Sequence, residues 1–189
     1  MKIVVMSIKG GVGKTPISFN LAKDFDLDIQ TNDHSALEMI YKERTTITND
    51  LYMAENTVYD LGGFTAHGVN KIVENADIVI VPVFNDYSAL SQTIATLNQL
   101  KNPKHVLIAV TRTENKDFKN VKKVLKEEFE GLEYFEFPLT KAFKNSIEYG
   151  ESVIELVKTD KQLAHWYKEY AKRYISPFNK YIKKVIKNG

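Results

Sequence analysis

The chain has 189 residues, is 43% hydrophobic and 26% charged, and contains no cysteine, so it can bury a single core but has no disulfide framework and no thiolate metal site. No apolar run approaches the roughly 18 residues of a spanning helix. Met1-Lys2-Ile3-Val4-Val5 is too short for a secretory core, so one cytoplasmic domain over 1–189 is expected. The net charge is +2, yet residues 161–189 hold eight Lys/Arg against one acid, Glu169, a net +7 that leaves −5 on the rest. A basic helical segment at about 160–189 on an acidic body points to a polyanionic partner, nucleic acid or membrane, or else to a solvated helix face.

Residues 1–7, with Ile3-Val4-Val5-Met6, read as a buried first strand. It runs into Lys9-Gly10-Gly11-Val12-Gly13-Lys14-Thr15 and a helix-like segment over 17–25. Strand, glycine loop, helix is the setting of a phosphate-binding loop. Glycines at 10, 11 and 13 let the backbone turn several N–H groups inward as an anion nest, and the helix adds its positive end. Lys14 would sit over the β- and γ-phosphates of ATP, and the Thr15 hydroxyl would ligate Mg²⁺. The general pattern G-x-x-x-x-G-K-[ST] is met except at its first glycine, which is Ile8 here. With Lys9 as a second lysine, K-G-G-x-G-K-T resembles the deviant Walker A motif of the ParA/MinD family of ATPases. In that family the extra lysine reaches across a dimer interface to the partner's bound ATP.

The next residue departs from the family, whose members usually carry Thr or Ser there. Pro16 fits the first turn of a helix but removes an amide and a hydroxyl from the phosphate cradle. A hydrogen bond to a charged group is worth about 1.5–3 kcal/mol, so weakened but surviving nucleotide affinity is expected. Residues 27–31 form a short strand ending at Asn32-Asp33. The family's strand ends D-x-D-P-Q; on that alignment Thr31 replaces the first Asp, Asp33 keeps the water-orienting second, and His34-Ser35 replace Pro-Gln. The plain alternative is that Asp33 caps a helix over 35–41.

Residues 45–56 read as a loop with a short strand and as a candidate switch region. Thr57-Val58-Tyr59-Asp60-Leu61-Gly62-Gly63 is similar to a Walker B strand, with Asp60 placed for the Mg²⁺ shell and the glycines near the γ-phosphate. A helix over 66–76 and a continuous apolar strand over 77–83 follow, Ala76 to Pro82 resembling the family's A-D-x-V-I-x-P. Residues 87–101 carry Leu90, Ile94, Leu97 and Leu100 at helical spacing. The strand over 104–110 ends in Thr111-Arg112-Thr113, near which relatives bind adenine, so Arg112 is assigned to that neighbourhood. A charged helix over 115–130 stops at Gly131. After the last strand, 132–137, Pro138-Leu139-Thr140 begins a loop that flanks the base in relatives. Ala142-Phe143 and Gly150-Glu151-Ser152-Val153 echo the family's A-F…G-x-S-V, with Lys141 in place of the usual Arg.

The tail reads as a helix from 161 to about 176, interrupted by Pro177 and resumed at Phe178. Leu163, Trp166, Tyr167, Tyr170 and Tyr174 form a stripe expected to pack on the body. Phe178, Ile182, Val185 and Ile186 form a second stripe backed by Lys180, Lys183, Lys184 and Lys187, which could meet DNA phosphates, lie on anionic lipid, or dock on the body.

Alternating strands and helices predict an α/β, mostly parallel sheet with helices on both faces, of the P-loop NTPase type. The resemblance spans most of 1–155. It implies a slow ATPase of plasmid or DNA partition, closest to the short plasmid-type ParA proteins: a homodimer around ATP and Mg²⁺ that binds DNA non-specifically and is stimulated by a ParB-like centromere-binding adaptor. Lys9, Lys14 and Asp33 would carry catalysis. A membrane-localising MinD-like ATPase, a metabolic P-loop enzyme, and a degenerate nucleotide binder weakened by Pro16 and Thr31 are the alternatives.

Overall fold

The computed structural model describes residues 1–188. Its scaffold is a seven-stranded sheet in the order β3-β2-β4-β1-β5-β6-β7. The strands are β1 (Lys2–Met6), β2 (Asp28–Thr31), β3 (Thr45–Ile47), β4 (Thr57–Leu61), β5 (Ile78–Val83), β6 (Val106–Thr113) and β7 (Glu133–Pro138). Every neighbouring pair is parallel. The central strands read as unbroken apolar runs because both faces are covered, yet side chains still alternate between two cores. Ile3 and Val5 enter one core with Val58, Ile78 and Ile80. Val4 and Met6 enter the other with Tyr59, Val79 and Val81.

On the first face lie α1 (Lys14–Phe25), α6 (Ala142–Tyr149), α7 (Val153–Thr159), α8 (Lys161–Tyr170) and α9 (Ser176–Asn188). The opposite face is covered by α3 (Val69–Asn75), α4 (Tyr87–Gln99) and α5 (Asp117–Glu128). Short polar signals start several of these helices. Asp86 accepts from Ala89 N at 2.9 Å to cap α4. Ser152 and Glu155 form a capping box on α7, and Asp160 accepts from both Gln162 N and Leu163 N to open α8. The N-terminus of α1 differs, because no side chain caps it.

Several elements depart from the sequence reading. The helix expected over 66–76 begins only at Val69, because Gly68 sits at φ 84° where a Cβ would stand 2.6 Å from the Leu51 carbonyl oxygen. The helix expected over 35–41 shrinks to α2 (Leu37–Ile40). Residues after β3 are pinned to the sheet: Gln30 exchanges two hydrogen bonds with the Tyr52 backbone, and the Tyr59 hydroxyl accepts from Ala54 N at 2.8 Å.

The tail is not interrupted at Pro177. Helical backbone runs through a π-helical turn at Ala171–Ile175 directly into α9, with Pro177 in that helix's first turn. A proline ring collides with the carbonyl four residues earlier, here Arg173, and the wider π turn relieves that crowding. Of the aromatic stripe, Tyr167, Tyr170 and Tyr174 pack on the body as expected, whereas Trp166 is 69% exposed. The second stripe also docks on the body: Phe178 is 3% and Ile182 0% exposed, and Phe178 meets Phe137 edge-on at 5.0 Å between ring centroids.

Candidate nucleotide site

The loop between β1 and α1 lies at the sheet's C-terminal edge, where open α/β sheets bind ligands. Gly11 at φ 72° and Gly13 at φ 99° take left-handed backbone, which turns successive amides toward one side. Gly13 is the residue before α1, and with no capping side chain the Lys14 and Thr15 amides remain open donors. Pro16 occupies the third helical position and contributes no amide, as the sequence implied. The helix itself is undisturbed and runs unbroken from Lys14 to Phe25, and the Pro16 carbonyl also accepts from Asn20 Nδ2 at 2.8 Å.

The two lysines are arranged differently. Lys14 Nζ donates to the Lys9 carbonyl at 3.3 Å, curling its ammonium over the loop. Lys9 is half-buried, its backbone N–H donates to Ser7 Oγ at 3.2 Å, and its ammonium has no hydrogen-bond or ion-pair partner among the described residues. Ile8, in place of the usual first glycine, lies against Gly63: a Cβ there would be 3.7 Å from Ile8 Cγ1, and Gly63 itself needs φ 116°.

Asp60 reaches the loop through strand register. It pairs with Val5 on β1 and Thr31 on β2, and side-chain alternation puts it on the α1 side of the sheet. Thr15 Oγ1 donates to Asp60 Oδ2 at 2.9 Å, while Asp60 Oδ1 is buried without a hydrogen-bond partner, as is the Ser18 hydroxyl nearby. Burial pushes the Asp60 carboxyl up to about 6, against the pull of the Thr15 and nearby Ser18 hydroxyls and the Lys14 charge, and the Asp33 charge adds to the rise. An orphaned carboxylate oxygen beside a threonine hydroxyl is a donor set suited to a hard divalent cation that keeps water and phosphate oxygens as its other ligands. Thr15 and Asp60 fit Mg²⁺ in this sense.

Asp33 is exposed at the end of β2. Thr31, buried and in place of the family's first aspartate, folds its hydroxyl into the turn: it accepts from Asp33 N at 3.1 Å and donates to Asp33 O at 3.2 Å. The Asp33 carboxylate caps nothing; Glu38 accepts from Ser35 N and Ser35 Oγ accepts from Leu37 N instead. Asn32, which the sequence reading passed over, accepts from Gly62 N at 2.9 Å and ties this turn to the loop after Asp60.

Beside the loop lies a cleft of about 230 Å³, lined by Gly13, Pro16, Arg112, Pro138, Thr140 and Phe143 among others. Its wall is the pair of strand ends near which the family resemblance placed the base. Arg112 sits at a register shift between β6 and β7, at φ 54°, with its guanidinium 5.6 Å from the Phe84 ring centroid. A non-glycine residue held in left-handed backbone costs about 1–3 kcal/mol and is over-represented at functional positions. Thr111 escaped the sequence reading: its hydroxyl bonds the Val12 carbonyl at 2.9 Å and locks the loop to β6. The signal was a polar residue at the end of a buried strand. Lys180, Lys183, Lys184 and Lys187 are all exposed on α9, away from this edge.

The CobQ/CobB/MinD/ParA nucleotide binding domain matches residues 3–163. No curated protein matches by sequence. Among solved structures, apo McdA from Cyanothece superposes with a TM-score of 0.64 at 16% identity, over 98% of this chain and 99% of that one. The McdA–ATP complex from Cyanothece gives 0.54 at 14% identity, over 91% and 95%. The MinD cell division protein of Aquifex aeolicus gives 0.55 at 15% identity, over 85% and 90%. At such identities the likeness is one of fold, while the domain match covers most of the chain, its glycine loop and Asp60 included. The chain therefore belongs to the CobQ/CobB/MinD/ParA nucleotide-binding family.

Proposed function

We propose that the protein is a nucleotide-switched ATPase of plasmid or DNA partition. It dimerises around ATP and Mg²⁺, binds DNA without sequence preference in that state, and is released by slow hydrolysis that a ParB-like centromere-binding adaptor stimulates. The observation that carries this reading is Lys9: a loop lysine whose ammonium has no partner among the described residues, set at the sheet edge where nucleotide would bind. An ammonium left unpaired at the mouth of the loop is available to neutralise phosphate charge held on a second copy. The ATP complex of the like-folded Cyanothece McdA supports ATP as the ligand.

In this reading the amides of Gly11 to Thr15 and the Lys14 ammonium hold the β- and γ-phosphates. Thr15 and Asp60 would hold Mg²⁺, whose charge neutralises the phosphate oxygens. Asp33, with a free carboxylate, orients the attacking water. Arg112 and the 138–140 loop border the base. Asn32, bonded to Gly62 N, links the two turns that would sense the γ-phosphate. Burial of Phe178 and Ile182 counts against a lipid-lying tail, because a helix enters a bilayer surface by its apolar face.

Size-exclusion chromatography with light scattering tests this, using Asp33→Ala to slow turnover. A monomer-to-dimer shift with ATP and Mg²⁺, absent with ADP and lost in Lys9→Ala, is expected. A mass indifferent to nucleotide would rule out the switch.

A further inference from the structure

Next to the exposed lysines of α9 lies a second and larger cleft, of about 530 Å³. Four lysines line it: Lys23 from the last turn of α1, Lys158 from the last turn of α7, and Lys180 and Lys183 from α9. Lys23 lies far from the tail in sequence and Lys158 just before it, and nothing in the composition of residues 1–160 sets either apart.

The carboxylates that share the cleft are engaged in holding the fold together. Asp24 accepts from Asn179 Nδ2 at 2.7 Å. Glu155 accepts from Ser152 N at 2.8 Å to close the α7 capping box and pairs with Lys23 at 3.2 Å. Lys158, Lys180 and Lys183 have no carboxylate within 4.0 Å among the described residues. Lys183 is steered to the cleft by the Phe25 ring, 5.2 Å from its ammonium. Three free ammonium groups thus face one concavity floored by an Asp–Asn hydrogen bond.

We propose that this cleft, extended by Lys184 and Lys187 along α9, is the seat of a DNA phosphodiester backbone, with Lys158 and Lys23 completing it. The inference rests on the DNA-binding reading above. From Lys180 to Lys187 the helix runs about 10 Å at 1.5 Å per residue, enough to reach about two successive phosphates of one strand. A small anion would need only the cleft, whereas the positive strip continues beyond it. A bilayer would need an apolar face, and that of α9 is already buried against the body.

Fluorescence anisotropy with a labelled random-sequence duplex, in ATP and Mg²⁺ across a salt series, decides it. Removing one lysine that neutralises a phosphate should flatten the slope of log K against log salt by about 0.9, a roughly eightfold drop in affinity at 0.1 M salt. We expect that drop for Lys158→Gln, an exposed residue whose replacement should leave the melting temperature and nucleotide-dependent mass unchanged. Lys158→Glu should weaken binding further. Tight DNA binding by the wild type with unaltered affinity and slope in both Lys158 variants would overturn the cleft while leaving the DNA reading intact. A wild type that binds no duplex at low salt would overturn both, and binding instead to phosphatidylserine vesicles would reassign the surface to lipid.

Discussion

The two ends of α1 are built by different means. Its first turn joins the phosphate loop, shaped by left-handed Gly11 and Gly13 and fastened by bonds from Thr15 to Asp60 and from Thr111 to the Val12 carbonyl. Its middle and last turns are stitched to the C-terminal helices by bonds that span most of the chain. Asn20 bonds Ser146 Oγ across 126 residues and the Val153 amide across 133, and Asp24 bonds Asn179 across 155. Unpaired lysines occur at both ends, but the loop end also leaves open amides and, at Asp60, an orphaned carboxylate oxygen. At the tail end, Asn20 and Asp24 are both hydrogen-bonded and the apolar residues are buried. Unmet polar groups next to a cradle mark where ligand energy would be spent; satisfied ones mark where folding energy resides.

The largest expected break in that contrast is Lys14→Ala. It should abolish ATP binding in titration calorimetry while shifting the melting temperature little, because its one hydrogen bond is to a loop carbonyl. Wild-type-like binding would remove the loop from the site.

Ile182→Ala should do the reverse. This fully buried side chain, truncated, should cost about 2–5 kcal/mol in denaturant unfolding and leave nucleotide affinity unchanged wherever the variant is folded. A mild effect would mean that α9 is dispensable to the core.

Pro16→Thr sharpens the loop end. Restoring an amide and a hydroxyl should tighten nucleotide binding by about 1.5–3 kcal/mol, roughly tenfold or more. No gain would show that the phosphates do not approach this turn.

The smallest effect concerns Asp60, whose carboxyl is raised to about 6 in the fold. The folded protein holds this proton more tightly than the unfolded chain does. Its contribution therefore favours the fold at low pH and is lost as pH rises through about 6. Asp60→Asn should raise thermal stability at pH 8 but not at pH 4.5. It should also weaken the Mg²⁺ dependence of nucleotide binding, which in the wild type should fade below pH 6. Equal stability differences at both pH values would mean that the carboxyl is not desolvated.

Much of the fold was legible because its grammar is local. The apolar runs of β1, β4 and β5, the spacing on α4 and Gly131 after α5 each act within a few positions. The 66–76 helix was overextended because only the approach of Leu51, seventeen positions before Gly68, forbids a side chain there. Thr111, Asn32 and Asn20 were missed for a similar reason: a hydroxyl or amide acquires a role only when a distant carbonyl or amide is brought to it. Trp166 was placed in a packed stripe because helical spacing shows which residues share a face but not how wide a face the body covers.

The sequence alone determined the parallel α/β architecture and the phosphate loop with its second lysine, since both depend on patterns of backbone freedom and hydrophobic period that need no partner. It also located Asp60 at the end of its strand. Tertiary structure alone decided what the basic tail does with its apolar face and which lysines it faces. Phe178 and Ile182 could have met lipid or another protein, and only the shape of the core under α6, α7 and the π turn settled that they meet Phe137 and its neighbours. Burying one face of α9 turned its lysines outward and brought Lys180 and Lys183 beside Lys23 and Lys158, a convergence of charge that exists only in three dimensions.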